Sequence, residues 1–292
     1  MTEPALTELF DLIDTIVAQQ ALGSKSLSDL RGMKESDEPL WVIKDFIRVG
    51  ATHQCFGSRR TGKSHLMLDM AFRIAGGDDS FLGFSIVRHG HCLYFMLEEG
   101  FLNLREVVQN HPYYANEIPV EFFESLKLKL DSKTDWERLE HACNGAILCV
   151  IDPLAALQSR FKRNDPEDAR LLMNRLNEIS MKTGCAIVIV NHETKRRHAE
   201  IQFPGKTPED RAALEADKFK GSGELADLST IAFQLSSYST ERAKLTLFPG
   251  KHSLPTERIL YRDEGGWLTP APRDLKRFAL TNPLNPPAPI VL

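Results

Sequence analysis

Between residues 57 and 64 the chain reads Gly57-Ser58-Arg59-Arg60-Thr61-Gly62-Lys63-Ser64. Two glycines five positions apart, followed by Lys and Ser, form the G-x-x-x-x-G-K-[ST] pattern of a phosphate-binding loop. The glycines let the backbone curl until successive N–H groups converge on phosphate oxygens. A helix opening at the end of the loop adds the positive end of its dipole. In that geometry Lys63 reaches the β- and γ-phosphates and Ser64 ligates Mg²⁺. The other loop residues, with His65 behind them, complete the expected nucleotide-binding set. The match is more than an accidental glycine loop, because a strand-like run precedes it and Lys63-Ser64-His65-Leu66-Met67-Leu68-Asp69-Met70-Ala71 follows as a helical pattern.

Three further segments end apolar runs in polar groups. Ala146-Ile147-Leu148-Cys149-Val150-Ile151-Asp152 reads as a buried strand with a carboxylate at its C-terminal edge. Ligands of open parallel sheets bind at that edge, where Asp152 is expected to join Ser64 in the magnesium shell. Cys92-Leu93-Tyr94-Phe95-Met96-Leu97-Glu98-Glu99-Gly100 brings a second acid to the same edge. Hydrolysis needs a base to orient or activate water opposite the leaving diphosphate; Glu98 is the first choice and Glu99 the reserve. Ala186-Ile187-Val188-Ile189-Val190-Asn191-His192 ends in an imidazole able to donate to a γ-phosphate and to change partner once it is lost.

Two of these strand ends run into basic segments. Arg160, Lys162 and Arg163, with Phe161 among them, follow Asp152, and Lys195, Arg196 and Arg197 follow His192. The second basic segment opens a long polar stretch continuing through Lys206 and Arg211 to Lys218 and Lys220. Loops of that length are usually functional or disordered. Two basic loops leaving the catalytic strands make an anion-attracting surface, and single-stranded nucleic acid is its natural ligand.

The elements that must position these groups follow from hydrophobic spacing. Apolar runs near Thr52–Phe56, His91–Leu97, Ala146–Ile151 and Ala186–Val190 predict buried strands. Helical patterns follow at Lys63–Ala75, Asn103–Gln109 and Pro166–Thr183. Near-continuous apolar strands alternating with helices predict an α/β fold with a mostly parallel central sheet and helices on both faces. After about residue 228 the helices stop, and Thr230–Ser236, Lys244–Phe248 and Arg258–Arg262 predict an antiparallel C-terminal extension. Pro4–Leu22 predicts an amphipathic helix, packed on its own core or on a neighbouring subunit, with Pro4 in its first turn and Gly23 past its end. Ser24–Pro39 reads as a polar linker, and Asn282–Pro289 as an extended or disordered Pro-rich tail. The expected division is a helical arm and linker over 1–40, a core over 41–275 and a tail over 276–292. No internal repeat is evident.

Composition removes other classes. The 292 residues carry 36 basic and 40 acidic side chains, a formal charge of -4, with 42% apolar residues. This is ordinary for a globular protein and argues against a histone-like coat of nucleic acid, though a local basic channel is compatible with it. No run approaches the ~18 apolar residues of a membrane span, and Met1-Thr2-Glu3-Pro4 lacks a basic leader region. The five cysteines, Cys55, Cys92, Cys143, Cys149 and Cys185, have no metal-ligand spacing. Their odd number fits poorly with a disulfide framework, and four lie in or beside apolar runs, so a reducing, cytoplasmic setting is expected.

The order of these motifs, followed by Gly221-Ser222-Gly223-Glu224-Leu225-Ala226-Asp227, resembles the RecA-like ATPases. The likeness is nearest to the RepA-type hexameric replicative helicases of plasmids and runs from about Trp41 to Pro270. Thr183-Gly184-Cys185-Ala186-Ile187-Val188, the His192 strand end, the Gly221-Ser222 pair and Asp263-Glu264-Gly265-Gly266 carry it. The resemblance implies an ATP- and Mg²⁺-dependent ring around single-stranded DNA, a homo-hexamer with nucleotide between subunits. By it, Glu98 corresponds to the catalytic glutamate, His192 to the γ-phosphate sensor, and a neighbour supplies a basic finger. Where that family commonly has Arg before the Gly-Ser pair, this chain has Lys220; a second basic position matches Lys251. Lysine is a point charge and not a planar fork. No zinc module is evident, so such a helicase would depend on other replication or recombination proteins for priming and loading. The competing readings are a recombination or repair ATPase forming open filaments, and a regulatory ATPase with a protein partner. A small-molecule kinase would not need long basic loops after both strands.

Overall fold

The computed structural model describes residues 27–32, 40–98, 100–124, 130, 132–156, 166–192, 229–237, 239–249 and 256–270. The chain divides into two units, Met1–Leu40 and Trp41–Leu292. In the first, the described residues form one short helix, Leu27–Gly32, within the segment expected to be linker. The expected helix Pro4–Leu22 and the tail lie outside the described residues.

Among the described residues, the second unit is built on a nine-stranded sheet. A small hairpin, β1 (Trp41–Ile43) and β2 (Ile47–Arg48), leads into β3 (Thr52–Gly57) and the helix Lys63–Gly76. A second hairpin, β4 (Ser80–Phe81) with β5 (Phe84–Ser85), precedes β6 (Cys92–Met96), the helix Phe101–Val108 and β7 (Val120–Glu124). The helix Lys133–Cys143, β8 (Leu148–Asp152), a 3₁₀ turn Leu154–Ala156, the helix Pro166–Thr183 and β9 (Ala186–His192) follow. Then come β10 (Ile231–Ser237), β11 (Arg242–Pro249), β12 (Thr256–Arg262) and β13 (Leu268–Pro270). The spatial order is β13-β12-β11-β10-β3-β9-β8-β6-β7. Strands β10, β3, β9, β8, β6 and β7 are mutually parallel; β11, β12 and β13 continue the sheet antiparallel.

The expected α/β architecture with an antiparallel C-terminal extension is what the chain forms. One detail differs: β10 itself runs parallel to β3, Ala232 beside Gln54 and Gln234 beside Phe56, so the antiparallel part begins at β11. The elements that hydrophobic spacing does not reveal are the two hairpins, β7, the helix Lys133–Cys143 and the short β13. Each is short or amphipathic with few apolar positions. Strand β7, Val-Glu-Phe-Phe-Glu, has no fully buried residue.

Central strands alternate between two cores. In β6, Cys92, Tyr94 and Met96 face the first core, under the helix Lys63–Gly76; Leu93 and Phe95 face the second, under the helices Lys133–Cys143 and Pro166–Thr183. Strand β9 splits the same way, Val188 and Val190 against Ile187 and Ile189. Burial on both faces explains why these strands read as unbroken apolar runs. All five cysteines are free and buried, and Cys143, Cys149 and Cys185 lie together within the second core. Among the described residues no helix is long and apolar enough to cross a membrane.

Candidate nucleotide site

The site is assembled from the C-terminal ends of four neighbouring parallel strands. Strand register sets its levels: Gly57 at the end of β3 lies beside His192 at the end of β9, and Asp152 at the end of β8 lies beside Met96 of β6. Glu98 is two residues beyond Met96, so it stands one step further out than Asp152.

The loop from Gly57 to Ser64 is shaped by two glycines. Gly57 has φ 152, and a Cβ there would come 2.1 Å from the Leu235 carbonyl oxygen of β10. Gly62 has φ 92 and caps the following helix. Both conformations suit glycine and strain other residues. Arg60 between them also takes a left-handed φ of 63. The Thr61 hydroxyl donates to the Ser58 carbonyl at 3.0 Å. The Lys63 ammonium, buried within the loop, donates to the carbonyls of Gly57 at 2.9 Å and Ser58 at 2.7 Å.

The helix Lys63–Gly76 begins with no side-chain cap and no acid in its first turn. Its first N–H groups and its dipole therefore favour an anion at that end. Its far end closes on Gly77, φ 83, whose N–H donates to Arg73 O.

Asp152 is 6% exposed. Burial pushes its carboxyl pKa upward, against hydrogen bonds from Ser64 and Tyr94 and the nearby charges of Lys63 and His192. The Tyr94 hydroxyl donates to Asp152 Oδ2 at 2.7 Å and lies 3.4 Å from the Ser64 carbonyl oxygen. His192 Nε2 stands 3.9 Å from Glu98 Oε2. Burial, and then the positive charge of Lys63, lowers the His192 pKa, while Glu98 and Asp152 act to raise it. The net lowering favours the neutral imidazole, which keeps one N–H to donate.

Of the residues expected from sequence, the structure brings together the 57–65 loop, Asp152, Glu98 and His192. Glu99, Arg160, Lys162, Arg163, Lys195, Arg196, Arg197, Lys220 and Lys251 lie outside the described residues. A nucleotide with its magnesium ion fits the groups in place. The uncapped helix start suits phosphate, and Ser64 and Asp152, an oxygen pair in hydrogen-bond contact, suit a hard divalent cation.

Two residues of the site are not evident from sequence. Tyr94 lies inside an apolar strand, and period-two alternation puts it on the Glu98 side, but nothing local marks its hydroxyl as Asp152's partner. Arg262 lies at the end of β12. Its Nη2 donates to the Thr61 carbonyl at 3.0 Å and its Nη1 to the Gly266 carbonyl at 3.3 Å. Beside it the turn Asp263–Trp267 sets the Trp267 ring 5.1 Å from His65 and 4.4 Å from His111. His111 in turn meets Asp69 of the loop's helix at 3.0 Å. A contact spanning 201 residues of sequence carries no local signal.

Comparison with known proteins agrees with this geometry. The family model of the AAA domain matches residues 19–198, more than half of the chain. No curated protein sequence matches. Among solved structures, the ATPase domain of the G40 protein is similar at TM-score 0.54 and 13% identity, over 76% of this chain and 84% of that one. The crystal structure of the RadB recombinase reaches TM-score 0.49 and 13% identity, over 77% and 92%. At such identity the likeness to the G40 protein domain shows a shared fold. With the phosphate-binding loop at the head of a parallel sheet, the chain belongs to the AAA-domain family of P-loop ATPases, and its core has the RecA-like fold.

Proposed function

We propose that this ATPase is a ring-forming motor on single-stranded DNA, of the replicative-helicase type. The observation that carries the reading is the placement of β8 and β9. They are neighbours in the sheet and end at the nucleotide edge in Asp152 and His192. The chain runs from each into a basic segment, starting eight residues after Asp152 with Arg160, Lys162 and Arg163 and three residues after His192 with Lys195, Arg196 and Arg197. A change at the phosphates is thereby one strand end away from two polyanion-binding segments.

In this reading Lys63 and the loop N–H groups hold the β- and γ-phosphates. Ser64 and Asp152 hold Mg²⁺, which would neutralise charge on the transferring phosphoryl group. Glu98 orients or deprotonates the attacking water, and its 52% side-chain exposure leaves it open to solvent. His192 donates to the γ-phosphate. Lys220 or Lys251 of a neighbouring subunit supplies the finger. Tyr94 keeps the Asp152 carboxylate turned toward Ser64.

The test is ATP turnover with and without single-stranded oligonucleotide, paired with negative-stain images. Stimulated turnover with closed rings supports the reading, and open filaments favour a recombination ATPase. Turnover that ignores DNA, with no DNA binding, points to a protein partner. Replacing Lys195, Arg196 and Arg197 together by Ala is expected to flatten the salt dependence of binding, by about 0.7 in log-log slope for each phosphate no longer neutralised.

A further inference from the structure

We propose that Arg262 is a positioning residue for the phosphate-binding loop: it fixes the Thr61–Gly62 peptide so that the Gly62 N–H faces the phosphate side. The inference rests on the loop's role in binding nucleotide. Gly62 sits at φ 92, and a glycine there allows the preceding peptide to rotate at little cost. A rotated peptide would turn a carbonyl oxygen, and not an N–H, toward the phosphate.

A trans peptide is planar, with C=O and N–H pointing in opposite directions. The side that holds the Thr61 oxygen therefore decides where the Gly62 hydrogen points. Arg262 holds that oxygen at 3.0 Å. Its other terminal nitrogen is committed to the Gly266 carbonyl at 3.3 Å, which anchors the guanidinium to the turn after β12. The approach is close: a Cβ added at Gly62 would fall 2.8 Å from Arg262 Nη1. The loop's own contacts, Thr61 to Ser58 and Lys63 to Gly57 and Ser58, do not involve the Thr61 carbonyl. Within the described residues Arg262 supplies its restraint, from a strand far away in sequence.

A residue that pre-sets the loop strengthens binding of diphosphate and triphosphate alike and does not act on the reacting bond. Its loss should raise KM and leave kcat nearly unchanged, the pattern of uniform binding.

The experiment titrates MgADP calorimetrically into the full chain and its Arg262→Met and Arg262→Lys variants, with melting curves taken without nucleotide. Arg262→Met is expected to bind MgADP about tenfold more weakly, the scale of a lost charge-assisted hydrogen bond. The KM for ATP should rise by a similar factor, kcat should stay within about twofold, and the nucleotide-free melting curve should change little. Arg262→Lys should recover part of the affinity, since an ammonium reaches one carbonyl and cannot fork to both. If Arg262→Met proves poorly folded, Arg262→Lys decides alone: affinity equal to wild type overturns the proposal. Wild-type affinity in Arg262→Met overturns it as well, as does a large fall in kcat with KM unmoved. A wild-type chain that bound no MgADP would instead bring down the nucleotide reading itself.

Discussion

The two halves of the sheet are built by opposite rules. Strands β3, β6 and β8 are buried at every residue, because helices cover both faces. The antiparallel strand β12 is buried only at Leu260 and otherwise half-buried or exposed. The parallel half sends Gly57, Asp152 and His192 to one edge directly from its strand ends. Among the described residues the antiparallel half sends none of the candidate catalytic groups there, yet Arg262 of that half grips the loop. Parallel strands all end on the same side, so their termini converge without further design. Antiparallel strands alternate direction, so they serve the site by bracing it.

That contrast can be broken most directly at the phosphates. Lys63→Ala should lower ATP turnover by about a thousandfold or more, with the circular dichroism spectrum unchanged. Substantial turnover in this variant would move the chemistry elsewhere. Glu98→Gln should keep nucleotide binding and lose turnover to a similar degree, because an amide takes no proton. Normal turnover in Glu98→Gln, with loss in Glu99→Gln, would reassign the base.

The seam between the halves is the next place to look. Phe233 of β10 is fully buried and meets Phe46 edge-on at 4.9 Å. Phe233→Ala should cost about 3–5 kcal/mol in urea unfolding. A loss under about 1 kcal/mol would mean that β10, the strand on which the antiparallel half is built, is not packed into the common core.

His53 of β3 gives a pH-dependent effect on the parallel side. It is wholly buried, and Arg48 N–H donates to its Nε2 at 3.0 Å. Burial lowers its pKa from 6.5 to about 4. The folded chain keeps the ring neutral while the unfolded chain takes up a proton below pH 6.5. The stability contributed is therefore complete above pH 6.5 and lost as pH falls toward 4, by about 3 kcal/mol. His53→Gln should show a shallower fall over that window; parallel curves for the two proteins would dismiss the assignment.

The smallest effect belongs to the antiparallel surface. Lys244 Nζ and Glu257 Oε1 pair across β11 and β12 at 2.8 Å, with Glu257 half exposed. Glu257→Gln should cost less than about 0.5 kcal/mol and weaken further in salt.

Much of the parallel half is legible in the order of residues alone. The loop 57–64 announces itself because phosphate recognition by backbone needs glycines and a lysine at fixed spacing within one turn of chain. Asp152, Glu98 and His192 are legible because a strand buried on both faces is apolar along its length, so polar residues closing the run mark its C-terminal end. The antiparallel strands are visible as elements, but the short amphipathic segments β7 and the helix Lys133–Cys143 are not.

What sequence by itself determined is the set of local devices: the phosphate loop, the helix that begins after it, and the strands that end in acid, acid and histidine. Each is encoded within about ten consecutive residues, where covalent connection sets the spacing. Only the tertiary structure decided that β10 lies parallel beside β3, that Tyr94 donates to Asp152, and that Arg262 reaches Thr61 across 201 residues. Those are contacts between side chains and backbone brought together by sheet order. Sheet order is settled by burying two cores at once, a balance over the whole chain that no short stretch of residues records.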